Sequence, residues 1–134
     1  MRAFVDTGAF AALYNAHDQY HGRAKAVWQS FLKENPALYT SNYVISETII
    51  LLRVRAGFAA AERFGDDVFA SPAVRIVRVN ERHEIQAWSL FKKFSDHDFS
   101  FVDCCSFAVM QDLRISLAFA FDRHFVRAGF EILP

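Results

Sequence analysis

The stretch Phe99–Phe125, FSFVDCCSFAVMQDLRISLAFAFDRHF, decides the fold. Val102–Leu113 reads as a helix, with Asp103, Phe107 and Met110 at positions i, i+4 and i+7 of one face. Leu117–Phe121 reads as an apolar strand running straight into Asp122. Arg123–Ala128 then reads as a short helix ended by Gly129, and Glu131–Leu133 as a last strand remnant. Helix, strand, helix and strand in this order are the signature of a parallel sheet with helical crossovers.

Upstream, the same alternation holds. Arg2–Val5 reads as a short buried strand ending at Asp6, followed by a helix over Thr7–Tyr14 and a polar break at Asn15–Asp18. His21–Lys33 reads as an amphipathic helix with Ala24, Val27, Trp28, Phe31 and Leu32 inward, closed by Asn35-Pro36. Ala37–Thr40 is a second strand; Thr40 or Ser41 caps a long helix to about Arg55, stopped by Gly57. A helix over about Ala59–Ala70 and a break at Ser71-Pro72 follow. Val74–Val79 alternates apolar and basic residues, as an outer strand does, because a central parallel strand is apolar on both faces. Asn80 caps a helix carrying Ile85, Trp88, Phe91 and Phe94 at helical spacing, and Ser95–Phe99 is a charged loop. The expected architecture is a three-layer α/β/α domain spanning residues 1–134, with a four- to five-stranded, mainly parallel sheet. Such sheets bind ligands beyond the carboxyl ends of their strands.

Composition agrees with one folded domain. The chain has 134 residues, 53% hydrophobic, with fifteen phenylalanines, enough to build a core without staples. No apolar run reaches the roughly 20 residues of a membrane span, and the N-terminus lacks a signal core with a small-residue cleavage site. The expectation is a cytosolic protein. Fifteen basic and fifteen acidic side chains cancel, which argues against a general nucleic-acid binder but leaves room for a local basic rim. Cys104 and Cys105 are adjacent, lack the spacing of a zinc half-site, and read as buried reduced thiols.

Four acids sit where acids are costly: Asp6 in RAFVDTGAF, Glu47 in NYVISETIILL, Asp103 in FSFVDCCSFAVM and Asp122 in LAFAFDRHF. Each has a plainer explanation. Asp6 and Asp122 stand where N-caps stand. Ser100 and Asp103 have the S-x-x-D form of a capping box. Glu47 shares a helical face with Val44, Ile50, Leu51 and Val54, and could reach water from its rim. Capping and metal binding are compatible, because a carboxylate has two oxygens. If the four converge on one sheet edge, like charges raise one another's pKa and a divalent cation relieves the repulsion. Oxygen-only donors favour Mg²⁺ or Mn²⁺ over zinc. Such a site activates water and offsets phosphoryl charge, with either one ion or two about 3.5–4 Å apart, so phosphodiester hydrolysis is the natural chemistry.

The order of these motifs resembles the PIN-domain ribonuclease family over nearly the whole chain, and within it the VapC-like toxins of toxin–antitoxin pairs. The resemblance rests on Phe4-Val5-Asp6-Thr7, on Ser46-Glu47, on Asp98–Met110 with Asp103 inside it, and on Phe119-Ala-Phe-Asp122-Arg-His-Phe125 followed by Gly129-Phe130. It implies Mg²⁺ or Mn²⁺ held chiefly by Asp6 and Asp103, with Glu47 and Asp122 completing a catalytic acidic site. It also implies endonucleolytic cleavage of single-stranded RNA, a homodimer, and inhibition by a small antitoxin protein. Thr7 and Ser100 are candidates to hydrogen-bond a carboxylate or the scissile phosphate, with ordinary capping as their alternative. Arg123 and His124 are candidates to contact RNA phosphates, with solvated surface as theirs.

Other readings are weaker. His17-x-x-x-His21 has helical metal spacing but no clear third ligand. Lys92-Lys93 and Arg53/Arg55 would form a phosphate rim or simply face solvent. The aromatic residues exceed the needs of one small core, so part of them is expected at an interface. A phosphatase with an aspartyl nucleophile needs a second Asp where Gly8 stands. A phospho-receiver domain needs a late-strand Lys where Asp122 stands. The remaining rival is a non-enzymatic α/β binding module in which all four acids are caps or solvated.

Overall fold

A computed structural model describes residues 1–134. In chain order the elements are β1 (Arg2–Val5), α1 (Thr7–Tyr14), α2 (His21–Glu34), β2 (Ala37–Ser41), α3 (Asn42–Arg55), α4 (Phe58–Ala70), β3 (Val74–Val77), α5 (Glu81–Lys93), α6 (Phe101–Leu113), β4 (Leu117–Phe119), α7 (His124–Arg127) and β5 (Glu131–Leu133). The five strands form one sheet in the order β3-β2-β1-β4-β5, and every pairing is parallel. No helix is long and apolar enough to cross a membrane.

β1 lies at the centre, and Ala3, Phe4 and Val5 are all fully buried. Successive strand residues point to opposite faces, so both faces of the sheet are covered. The basic, alternating β3 is indeed an edge strand. Its ladder stops at Val77; beyond it the Val79 N–H donates to Asn42 Oδ1 at 2.8 Å instead.

The strand order places a switch point between β1 and β4: the chain leaves β1 towards β2 and β3, then returns across the sheet to β4 and β5. Crevices form at such points outside the carboxyl ends of the strands. Two hydrogen bonds to strand carbonyls fix this edge. The Asp6 N–H donates to Phe119 O at 3.0 Å, and Thr40 Oγ1 donates to Val5 O at 2.9 Å.

α6 carries an unbroken buried run, Cys104 through Met110. Phe107 packs edge-on against Phe99 and Phe125. Both thiols are free. Burial pushes Cys104 up to about 11 and Cys105 up to about 12, so these thiols pack as small apolar groups rather than act as nucleophiles.

Three apolar faces differ from the sequence expectation. On α5 the buried residues are His83, Ala87 and Leu90, whereas Ile85 (65% exposed), Trp88 (53%) and Phe91 (38%) face outward. On α2, Leu32 is exposed, Val27 and Trp28 are half-buried, and Ala24 and Phe31 form the inner face. On α3 the inner face is Val44, Ile45, Thr48 and Leu52, while Ile50 and Val54 are exposed. Glu47 therefore lies at the border of the buried face rather than in an apolar stripe.

Candidate active site

Asp6 is the residue between β1 and α1. It stands at the N-cap position of α1, yet its side chain makes no capping hydrogen bond. The simple capping explanation therefore does not account for its carboxyl, which is only 6% exposed. Burial first, then the neighbouring Asp103, pushes its pKa up to about 8. The Thr7 backbone N–H pulls the other way, and Glu47 and Asp122 push further upward. All three other acids thus act electrostatically on Asp6. The fold gathers Asp6, Glu47, Asp103 and Asp122 at one edge of the sheet.

Each acid is delivered by a different element. Glu47 comes from the second turn of α3, whose start is fixed by Ser41 Oγ accepting from Val44 N–H at 3.2 Å. Thr7 Oγ1 donates to Glu47 Oε1 at 2.6 Å, so the hydroxyl of α1 holds the carboxylate of α3. Among the expectations for Thr7 (a carboxylate, the scissile phosphate, or capping), contact with a carboxylate is the one observed.

Asp103 lies in the first turn of α6 and completes a capping box. Asp103 N–H donates to Ser100 Oγ at 3.0 Å, and Ser100 N–H donates to Asp103 Oδ2 at 3.1 Å. Ser100 is thus a cap and a carboxylate contact together. Asp122 follows β4 by three residues, where its Oδ1 accepts from the His124 backbone N–H at 2.9 Å.

His124 is turned towards the acids. Its Nδ1 lies 2.9 Å from Asp103 Oδ2 and 3.1 Å from Asp122 Oδ2. Ligand atoms of Asp103, Asp122 and His124 all lie within 4.8 Å of one another. Arg123, by contrast, is exposed. Sequence reasoning did not single out Tyr20 and Arg23. Tyr20 stacks on Phe121, the neighbour of Asp122, with centroids 4.5 Å apart, and the Arg23 guanidinium sits 5.7 Å from each ring. No local pattern links residues a hundred positions apart, so sequence carried no signal for this contact.

The donor set fits a hard divalent cation. The four acids offer only oxygen, and burial and the neighbouring acids push the Asp6 carboxyl up to about 8, a cost that a bound cation would relieve. Asp6 and Asp103 would hold such an ion, with Glu47 and Asp122 beside them. Of the other sequence candidates, His21 Nδ1 contacts Ala12 O at 2.7 Å, and Lys92 and Lys93 lie in the last turn of α5.

A family model described as PIN domain matches residues 3–131. The chain is 43% identical over 132 residues to the 23S rRNA-specific endonuclease VapC20 of Mycobacterium tuberculosis, with 98% of each chain covered. It superposes on the crystal structure of Mycobacterium tuberculosis VapC20, described as a sarcin-ricin loop cleaving toxin, with a TM-score of 0.91 and 42% identity. That match covers 98% of this chain and 99% of the other. VapBC2 from Rickettsia felis, bound to a DNA fragment from its promoter, shares the fold at a TM-score of 0.73 and 14% identity, covering 100% of this chain and 98% of the other.

Proposed function

The chain belongs to the PIN domain family, and on that premise we propose that it is a divalent-metal-dependent endoribonuclease, the toxin of a toxin–antitoxin pair. Residues 1–134 act as a single PIN domain. The substrate is single-stranded RNA; the name of the 43% identical relative points to 23S rRNA, and the description of the VapC20 crystal structure to the sarcin-ricin loop. The observation that carries this reading is the buried Asp6 carboxyl with three further acids acting on it.

Asp6 and Asp103 are the chief metal ligands, and Glu47 and Asp122 complete the site. When bound, Mg²⁺ or Mn²⁺ supplies Lewis-acid activation of water and offsets charge on the scissile phosphate. The chain's own contribution is placement. Thr7 fixes the Glu47 carboxylate, Ser100 fixes that of Asp103, and the free oxygen of Glu47 orients the attacking water. The oxygen of that water adds to phosphorus as the bond to a sugar oxygen breaks. Arg123 and Arg23, both exposed, contact RNA phosphates at the rim.

Incubating the full chain with 23S rRNA tests this. Discrete internal cuts that require Mg²⁺ or Mn²⁺ and vanish with EDTA are expected. Intact rRNA with either metal, or cutting indifferent to EDTA, contradicts the reading.

The partners follow. A small antitoxin protein inhibits the enzyme, and both act in the cytoplasm, where ribosomes are. The enzyme is a homodimer, a reading supported by the outward stripe of Ile85, Trp88 and Phe91 on α5. Trp88 stacks on Phe91 at 5.5 Å and leaves that apolar surface to a partner. Trp88→Glu should convert a dimer into a monomer in sedimentation equilibrium. An unchanged dimer mass would place the interface elsewhere.

A further inference from the structure

His124 opens the short helix α7, and three of its contacts end on the acids. Its backbone N–H donates to Asp122 Oδ1 at 2.9 Å. Its Nδ1 faces Asp103 Oδ2 at 2.9 Å and Asp122 Oδ2 at 3.1 Å. Carboxylate oxygens accept, so Nδ1 is the ring nitrogen that carries hydrogen; it donates to Asp103 Oδ2, with Asp122 Oδ2 within ion-pair distance. The ring is also wedged. Phe99, itself buried, packs on His124 with centroids 5.3 Å apart, and Phe99 is anchored on Phe107 at 5.2 Å. Only 20% of the His124 side chain is exposed.

Hydrogen-bond capacity shows what this arrangement does. Asp103 Oδ2 accepts from Ser100 N–H and from His124 Nδ1, while no contact engages Oδ1. Asp122 Oδ1 accepts from the His124 backbone N–H, and its Oδ2 lies 3.1 Å from the same residue's Nδ1. Two neighbouring carboxylates repel and would otherwise splay apart. One residue that donates to both carboxylates, from its ring to Asp103 and from its backbone to Asp122, and whose ring is held by packed aromatics, keeps them at one separation and one tilt.

We propose that His124 is a positioning residue: its Nδ1–H sets the carboxylates of Asp103 and Asp122 in the arrangement that receives the divalent cation. It acts through the two acids, not on RNA. The role rests on the metal-site reading proposed above. Groups that orient metal ligands typically change affinity by about 10- to 100-fold when removed.

The test is divalent-metal affinity of the full chain without RNA, by calorimetric titration with Mn²⁺. His124→Phe keeps a ring against Phe99 and deletes the donor. His124→Asn places an amide N–H near the position of Nδ1, whereas His124→Gln carries it one bond further out. His124→Phe and His124→Gln should bind Mn²⁺ about 10- to 100-fold more weakly, and His124→Asn should recover to within about threefold of wild type. Circular dichroism of each metal-free variant checks folding. Should His124→Phe not fold, the Asn and Gln pair still decides. Wild-type affinity in His124→Phe, or equal losses in Asn and Gln, overturns the positioning role alone. No Mn²⁺ binding by wild type overturns the metal-site reading as well.

Discussion

Asp6→Asn should lower Mg²⁺-dependent RNA cleavage at least about a hundredfold, the scale of losing one charge-stabilising group from an active site. The change is nearly isosteric, so its effect is electrostatic. Asp6 is buried between a central strand and a helix start, and burial first, then the neighbouring acids, raise its pKa. An amide can offer one neutral oxygen but no charge to a cation. The metal-free variant should fold at least as well as wild type, because a buried repulsive acid is removed. It should lose most of the Mg²⁺- or Mn²⁺-induced rise in melting temperature that binding to the native state produces. Full cleavage by Asp6→Asn, measured on the same rRNA as wild type, would remove Asp6 from the catalytic site.

The second large effect is on stability. In EDTA, the wild type should lose stability steadily as pH rises from about 4 to about 8. Asp6 is raised from 3.8 to about 8 in the folded protein. Between those values the folded chain holds a proton that the unfolded chain has released, so rising pH favours unfolding by up to about 1.4 kcal/mol per pH unit for that proton. Below 3.8 both states are protonated; above about 8 both are ionised and the loss is complete. Asp6→Asn should flatten this slope, as urea unfolding at several pH values would reveal. A divalent cation favours the deprotonated carboxylate. Cleavage should therefore rise with pH through neutrality, with a midpoint that moves down as metal concentration increases. Parallel wild-type and Asp6→Asn stability profiles would show that Asp6 carries no such burden.

Much of this was legible because strand ends and helix starts are local. Asp6 and Asp122 follow apolar strands, Ser100 and Asp103 carry a capping box in their own spacing, and each acid could be placed on an element before its neighbours were known. The alternating β3 named itself an edge strand, since alternation reports one-sided burial. Orientation was harder to read. Ile85, Trp88 and Phe91 have helical spacing, but periodicity says only that a face is apolar, and α5 turns His83, Ala87 and Leu90 inward instead. The apolar neighbours of Glu47 misled in the same way: Ile50 and Val54 are exposed, and what brings Glu47 into the site is the Thr7 hydroxyl forty positions away. His124 looked equally suited to RNA or water, because its contact with Asp103 spans 21 residues and depends on the return of the chain to β4.

The most direct test of a cation-binding acidic centre is anomalous diffraction from crystals of this protein soaked in Mn²⁺. A single strong peak, or a close pair, coordinated by Asp6 and Asp103 and bordered by Glu47 and Asp122, is the predicted result. A map with no peak at these carboxylates, from crystals in which wild-type protein is active in solution with Mn²⁺, would contradict it.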